Sequence, residues 1–179
     1  LNNLNWYYEN AVSYGITPLA RELLGAYLDQ DFYAHGASVI DYTNKGYKVV
    51  EFGENSVINR ELRNDINMNK MLILKAYGET FNSSVDIPTY VDSYNFYTQG
   101  VDRGLSLGRA AAIISIKREG LELHAKITKL DNWHNDKKEA EYGGFVKDAY
   151  LVQQSGVRDT FAWKTTYDVT VELLELLSG

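Results

Sequence analysis

The sequence has no cysteine. Disulfides, thiolate metal sites and a cysteine nucleophile are therefore excluded, and the absence fits a protein that works in more than one redox compartment. Histidine is scarce too, with only His35, His124 and His134 in 179 residues, so few side chains can exchange protons near neutral pH. No apolar run approaches the ~20 residues that a membrane-spanning helix needs, and no signal peptide is evident. Basic residues are in deficit: 18 Lys and Arg against 24 Asp and Glu give a formal charge of -6. A general nucleic-acid binder would need a basic face to release counterions from phosphates, so nucleic acid is not an expected partner. The chain opens on Leu1 rather than methionine, which reads as a processed fragment or one domain of a longer chain.

Hydrophobic residues make up 45% of the sequence, and a chain of this length buries roughly 70% of its unfolded surface in one domain. Fourteen tyrosines and three tryptophans lean the composition toward sheet, where aromatic side chains suit half-buried surfaces. Residues 1–16 read as a terminal arm anchored by Trp6, Tyr7 and Tyr8 on the domain or on a missing neighbour, residues 17–80 as a helical part and residues 88–176 as a mostly antiparallel β part. A helix is expected over Thr17–Leu28, with Thr17 as its cap and Pro18 at the first helical position. Leu19, Leu23, Leu24 and Tyr27 make its apolar stripe. Gly25 weakens that helix by about 1 kcal/mol relative to alanine, which close packing would explain.

Two short strands, ASVIDY and YKVVEF, flank the tight-turn sequence Thr43-Asn44-Lys45-Gly46. His35, in the loop before them, reads as an ordinary solvated histidine. Asn55–Tyr77 reads as the longest helix, capped by Ser56 or Asn55 and ended by Gly78. Tyr90–Tyr97 is aromatic-rich and reads as extended. Gly100, Gly104 and Gly108 fit neither a phosphate loop nor a dinucleotide turn. Arg109–Leu130 has the alternation of a β-hairpin turning at Arg118-Glu119-Gly120 and places His124 on its polar face. Phe145–Gln154 reads as a short helix ending at Gly156 or, over VKDAYLV, as an extended segment, and Phe161–Leu173 reads as a long strand. Helices early and antiparallel strands late predict an α+β fold: a twisted, mainly antiparallel sheet with the N-terminal helices packed on it.

Chemistry concentrates in one place. Asp131, His134 and Asp136 follow the predicted hairpin directly, and strand ends are where a rigid element hands over to a shapeable loop. A histidine there can act as general acid or base, with a carboxylate to hold its ring. Asp131 and Asp136, with amide oxygens of Asn132 and Asn135, can bind a divalent cation such as Mg²⁺. Lys137 and Lys138 can meet an anionic group such as phosphate, with Asn135, Arg103 and His124 as further substrate-binding candidates. The plainer reading of DNWHNDKK is a solvated turn anchored by Trp133, since asparagine and aspartate favour turns.

The order of features is a helix ending LLGAYLD, a second helix, an aromatic segment before Leu107-Gly108-Arg109, a hairpin, then Leu130–Lys138 and Gly156–Phe161. In that order the chain resembles the C-terminal effector domains of bacterial polymorphic toxins. A more distant similarity is to colicin M-type bacteriocins, which cleave the lipid-linked peptidoglycan precursor. Only Asp131 matches their active segment well; Trp133 and His134 stand where tyrosine and aspartate would be expected, and no histidine–arginine pair follows. The resemblance implies a secreted or delivered antibacterial hydrolase of phosphoester or pyrophosphate type with a membrane-linked substrate. Its partners would be an immunity protein or a delivery-protein domain. The alternative is a non-catalytic binding or structural module of a secretion or phage assembly that presents tyrosines such as Tyr94 and Tyr97 to a partner.

Overall fold

The computed structural model describes residues 1–80, 89–91, 111–133, 137, 141 and 143–178. The N-terminal arm is helical, with α1 at Asn2–Glu9 and α2 at Ala11–Tyr14. Leu4 is buried, and Tyr7 meets Trp6, Tyr14 and Phe145 edge-on at 5.2–5.4 Å between ring centroids. Such aromatic pairs add modestly to area burial and here hold the arm against Phe145.

Helix α3 spans Leu19–Asp29 and buries Leu19, Leu23, Leu24 and Tyr27, the stripe read from the sequence. Its start differs from expectation: Pro18 is the N-cap, Thr17 makes no cap, and the Thr17–Pro18 peptide is cis. First-turn donors are satisfied by the backbone instead, Arg21 N–H donating to the Ile16 carbonyl at 2.7 Å. A 3₁₀ turn, Phe32–His35, leads into β1 (Ala37–Tyr42) and β2 (Lys48–Phe52), joined through Gly46 at positive φ.

The single helix expected over Asn55–Tyr77 is two, α4 (Val57–Asn64) and α5 (Ile66–Thr80), and Gly78 does not end the second. Ser56 caps α4, accepting from Asn59 N–H at 3.1 Å. The break at Asp65 has its own chemistry. Asp65 Oδ1 accepts from Met68 N–H at 3.2 Å, while Asn69 Nδ2 donates to the Leu62 and Arg63 carbonyls at 2.9 and 3.2 Å. Side chains thus satisfy the free ends of both helices, which lets the chain bend there without stranding backbone groups.

The strands β3 (Thr89–Val91), β4 (Ala111–Glu119), β5 (Glu122–Trp133) and β6 (Phe161–Glu172) complete a six-stranded sheet in the order β1-β2-β6-β5-β4-β3. All pairings are antiparallel except β2 with β6. The N-terminal hairpin therefore joins the same sheet as the C-terminal strands, and the fold is α+β as expected. Between β5 and β6 stands α6 (Gly144–Ser155), closed by left-handed Gly156; α7 (Leu173–Ser178) follows β6. Alternation along β6 buries Phe161, Trp163, Thr165, Tyr167 and Val171 on the helix-covered face. One row crosses all six strands on that face: Ala37, Phe52, Thr165, Lys129, Ala112 and Val91, each the neighbour of the next and each buried.

Candidate functional site

The polar stretch flagged in the sequence begins inside a strand, not in a loop. Asp131, Asn132 and Trp133 pair with Trp163, Ala162 and Phe161. The strand outlasts the turn-favouring Asp-Asn pair because β6 offers a partner along its full length. Alternation then sorts the side chains: Lys129, Asp131 and Trp133 lie on the helix-covered face, Leu130 and Asn132 on the other. Trp133 is buried, its ring 6.1 Å from that of Tyr27, while Asp131 is half-buried.

Lys129 is the residue that sequence reading missed. Its side chain is buried in the row between Thr165 and Ala112. Burial pushes its ammonium down to about 7, and the Asp131 carboxylate pulls it back up. A lysine at that value exchanges its proton near neutral pH, a property that clusters at functional sites. The available signal was its place on the apolar side of an alternating strand, with Leu123, Ala125 and Ile127.

His134, Asn135, Asp136, Lys138 and Arg103 lie outside the described residues, as do Tyr94 and Tyr97. Lys137 is exposed. His124 is not brought to Asp131. It sits seven positions earlier, roughly 23 Å along the strand, and on the opposite face. There it meets Thr170 Oγ1 at 3.2 Å and the Glu119 and Glu122 carboxylates at 3.4 and 3.3 Å. No group of three or more His, Cys, Asp or Glu residues suited to a metal ion occurs among the described residues.

A second region surrounds His35, which is not the solvated loop residue the sequence suggested. Its Nδ1 lies 2.8 Å from Glu22 Oε1 and its Nε2 2.7 Å from Asp29 Oδ2, with only 11% of the side chain exposed. Hydrogen bonding to Glu22, opposed by burial and helped by Asp29, raises the imidazole to about 9. Both nitrogens are therefore donors at neutral pH, and neither holds a lone pair for base chemistry. The group acts as a charged staple between α3 and the turn before β1. Beside it an open groove of about 440 Å³ is lined by Glu22, Tyr33, His35, Ser38 and Asn55, among others. That volume is within the range of ligand pockets.

From this groove β1 runs out into solvent. Ser38–Tyr42 are all exposed, Val39 by 41%, Ile40 by 45% and Tyr42 by 60%. Among the described residues no strand pairs with the far side of β1. No helix among them is long and apolar enough to cross a membrane. No protein-family model, curated protein or solved structure matches this chain.

Proposed function

We propose that this chain is a binding module of a larger assembly, such as a secretion apparatus or a phage particle, and that it meets its partner through the β1–β2 hairpin. One observation carries the reading: the terminal strand of the sheet holds Val39, Ile40 and Tyr42 in water along an edge that no other strand among the described residues pairs with. Such an edge attracts other chains unless it is covered, and contiguous exposed apolar side chains commonly mark a contact surface. A photo-crosslinking residue at Tyr42, in the producing cell, should give a discrete adduct that the same residue at exposed Leu151 on α6 does not. Tyr42 and Leu151 giving the same adducts, or none, would count against the hairpin as the contact.

A second reading is the effector domain, a hydrolase of a phosphate-bearing envelope substrate working through Asp131, His134 and Asp136, with a divalent cation possible and Asn135, Lys137 and Lys138 toward the substrate. What favours it is Lys129 near neutrality beside Asp131, at the start of that same polar stretch. Expression in the bacterial cytoplasm and periplasm separates the two. The module reading expects normal growth with folded protein. A growth defect relieved by Asp131→Ala at unchanged thermal stability would replace it with the effector reading and call for an immunity partner.

A further inference from the structure

We infer that the partner of the hairpin is a basic, extended segment that adds to the open edge of β1 as a seventh strand, with an apolar residue beside Val39 and a lysine or arginine beside Asp41. This inference rests on the binding-module reading and names the chemistry of its partner.

The backbone supplies the affinity. β1 is six residues long, roughly 20 Å of edge. Alternate residues of an antiparallel strand aim their N–H and C=O groups at the neighbour and away from it. Those aimed away from β2 can form a new ladder, the mode by which extended peptides join exposed sheets. Side chains supply the register. Val39 continues the row of Val50, its partner on β2, so a β-branched residue on the added strand extends an apolar cross-strand row.

Charge selects among occupants. Residues 22–57, which hold the groove and the hairpin, carry six carboxylates (Glu22, Asp29, Asp31, Asp41, Glu51, Glu54) against Lys45 and Lys48, with Lys164 of β6 standing 3.8 Å from Glu51. Protonated His35 offsets one of them. A second copy of the chain would bring the same excess of negative charge, within a net -6, against this edge. The pairing register also shifts between Val39 and Asp41, leaving Ile40 as a bulge. Bulges disfavour flat edge-to-edge pairing of identical strands. A basic segment escapes the charge repulsion and is drawn in by the field, and like any added strand it has to follow the bend at Ile40.

The test uses the whole chain and three synthetic ten-residue peptides. One alternates lysine with valine and threonine, one replaces each lysine by glutamate, and one repeats the lysine peptide with alternate amides N-methylated so that it cannot form a ladder. The lysine peptide should shift backbone amide resonances within Ala37–Tyr42 and bind at least about tenfold tighter than either relative, a 1.4 kcal/mol difference. Its affinity should fall with salt, and Asp41→Lys should erase the preference over the glutamate peptide. Equal binding of both charge types, or shifts confined to other elements, would overturn the inference. So would a concentration-dependent dimer in sedimentation that Val39→Pro, still folded by circular dichroism, converts to monomer; β1 of a second copy would then be the occupant. If the Tyr42 adduct forms in cells while no peptide binds, the module reading stands and the basic-strand partner is wrong. If neither occurs, both fall.

Discussion

Gly25 of α3 lies directly under the ring of His35: a Cβ built on Gly25 would stand 3.0 Å from His35 Cε1 and 3.0 Å from a ring carbon of Tyr8. Neither ring is free to retreat. His35 is held at both nitrogens by Glu22 and Asp29, and Tyr8 is stacked under the Arg21 guanidinium at 4.0 Å. Gly25→Ala gains about 1 kcal/mol of helix propensity, but overpacking of this kind costs about 1–3 kcal/mol. The expected result is a net loss of about 1 kcal/mol in urea unfolding at pH 7. A variant as stable as the parent, or more so, would show that the rings give way and that the close packing carries little weight.

The staple itself has a pH signature. The folded imidazole titrates at about 9, against about 6.5 in the unfolded chain. A raised value means that the folded state binds the proton more tightly. Its contribution is full below pH 6.5 and is lost as pH rises to 9. With Asp29 half-exposed to solvent, screening reduces the contribution to the order of 2 kcal/mol. Other groups titrate in this window, so the quantity to measure is the stability difference between the parent and His35→Gln. That difference should shrink between pH 6 and pH 9.5; a constant difference would mean that His35 is not held as an imidazolium.

A buried polar network fastens α4 to the sheet. Asn59 donates to Thr165 Oγ1 at 2.8 Å and to the Thr166 carbonyl at 2.9 Å, and accepts from Arg63 at 2.6 Å. Thr165 in turn donates to the Phe52 carbonyl at 2.7 Å. Asn59→Ala takes the amide donor from the buried Thr165 hydroxyl oxygen and the part-buried Thr166 carbonyl, and leaves Arg63 Nη1 with the Glu54 carbonyl at 3.3 Å. Unmet groups of that kind cost about 1–3 kcal/mol each, so a loss of about 2–4 kcal/mol is expected with an unchanged denaturant slope. A loss below 0.5 kcal/mol would mean that water replaces the amide.

Much of this was legible in the sequence, because period-2 and period-3.6 patterns report burial directly. The alternation of Leu123, Ala125 and Ile127 against His124 and Lys126 fixed which side of β5 faces the helices, and the stripe Leu19–Tyr27 fixed the buried side of α3. What escaped notice needed tertiary partners. Asp65 looks like any surface residue of a helix until Asn69 is seen closing the previous helix behind it. His35 reads as a loop residue until α3 brings Glu22 and Asp29 around it from earlier in the chain. Asp131 and Asn132 have the composition of a turn, and only the length of β6 keeps them in the sheet. The open edge of β1 could not be read at all, since strand order is a property of the assembled sheet.

Lys129 runs opposite to His35. Burial holds its folded ammonium near 7, against about 10.4 when unfolded. The unfolded state therefore binds more protons between those values, and stability gains from this residue as pH rises from 7 to 10.4. Below pH 7 the lysine is charged in both states and the full desolvation cost remains. Lys129→Met keeps the length and apolar stem while removing the charge, and with it the desolvation cost of burying an ammonium. The variant should be more stable than the parent at pH 6.5, with the advantage narrowing by pH 9.5. If Lys129→Met is instead destabilising at every pH, the ammonium is held by favourable interactions that outweigh its burial. If it also relieved a growth defect, the proton near Asp131 would belong to catalysis rather than to the core.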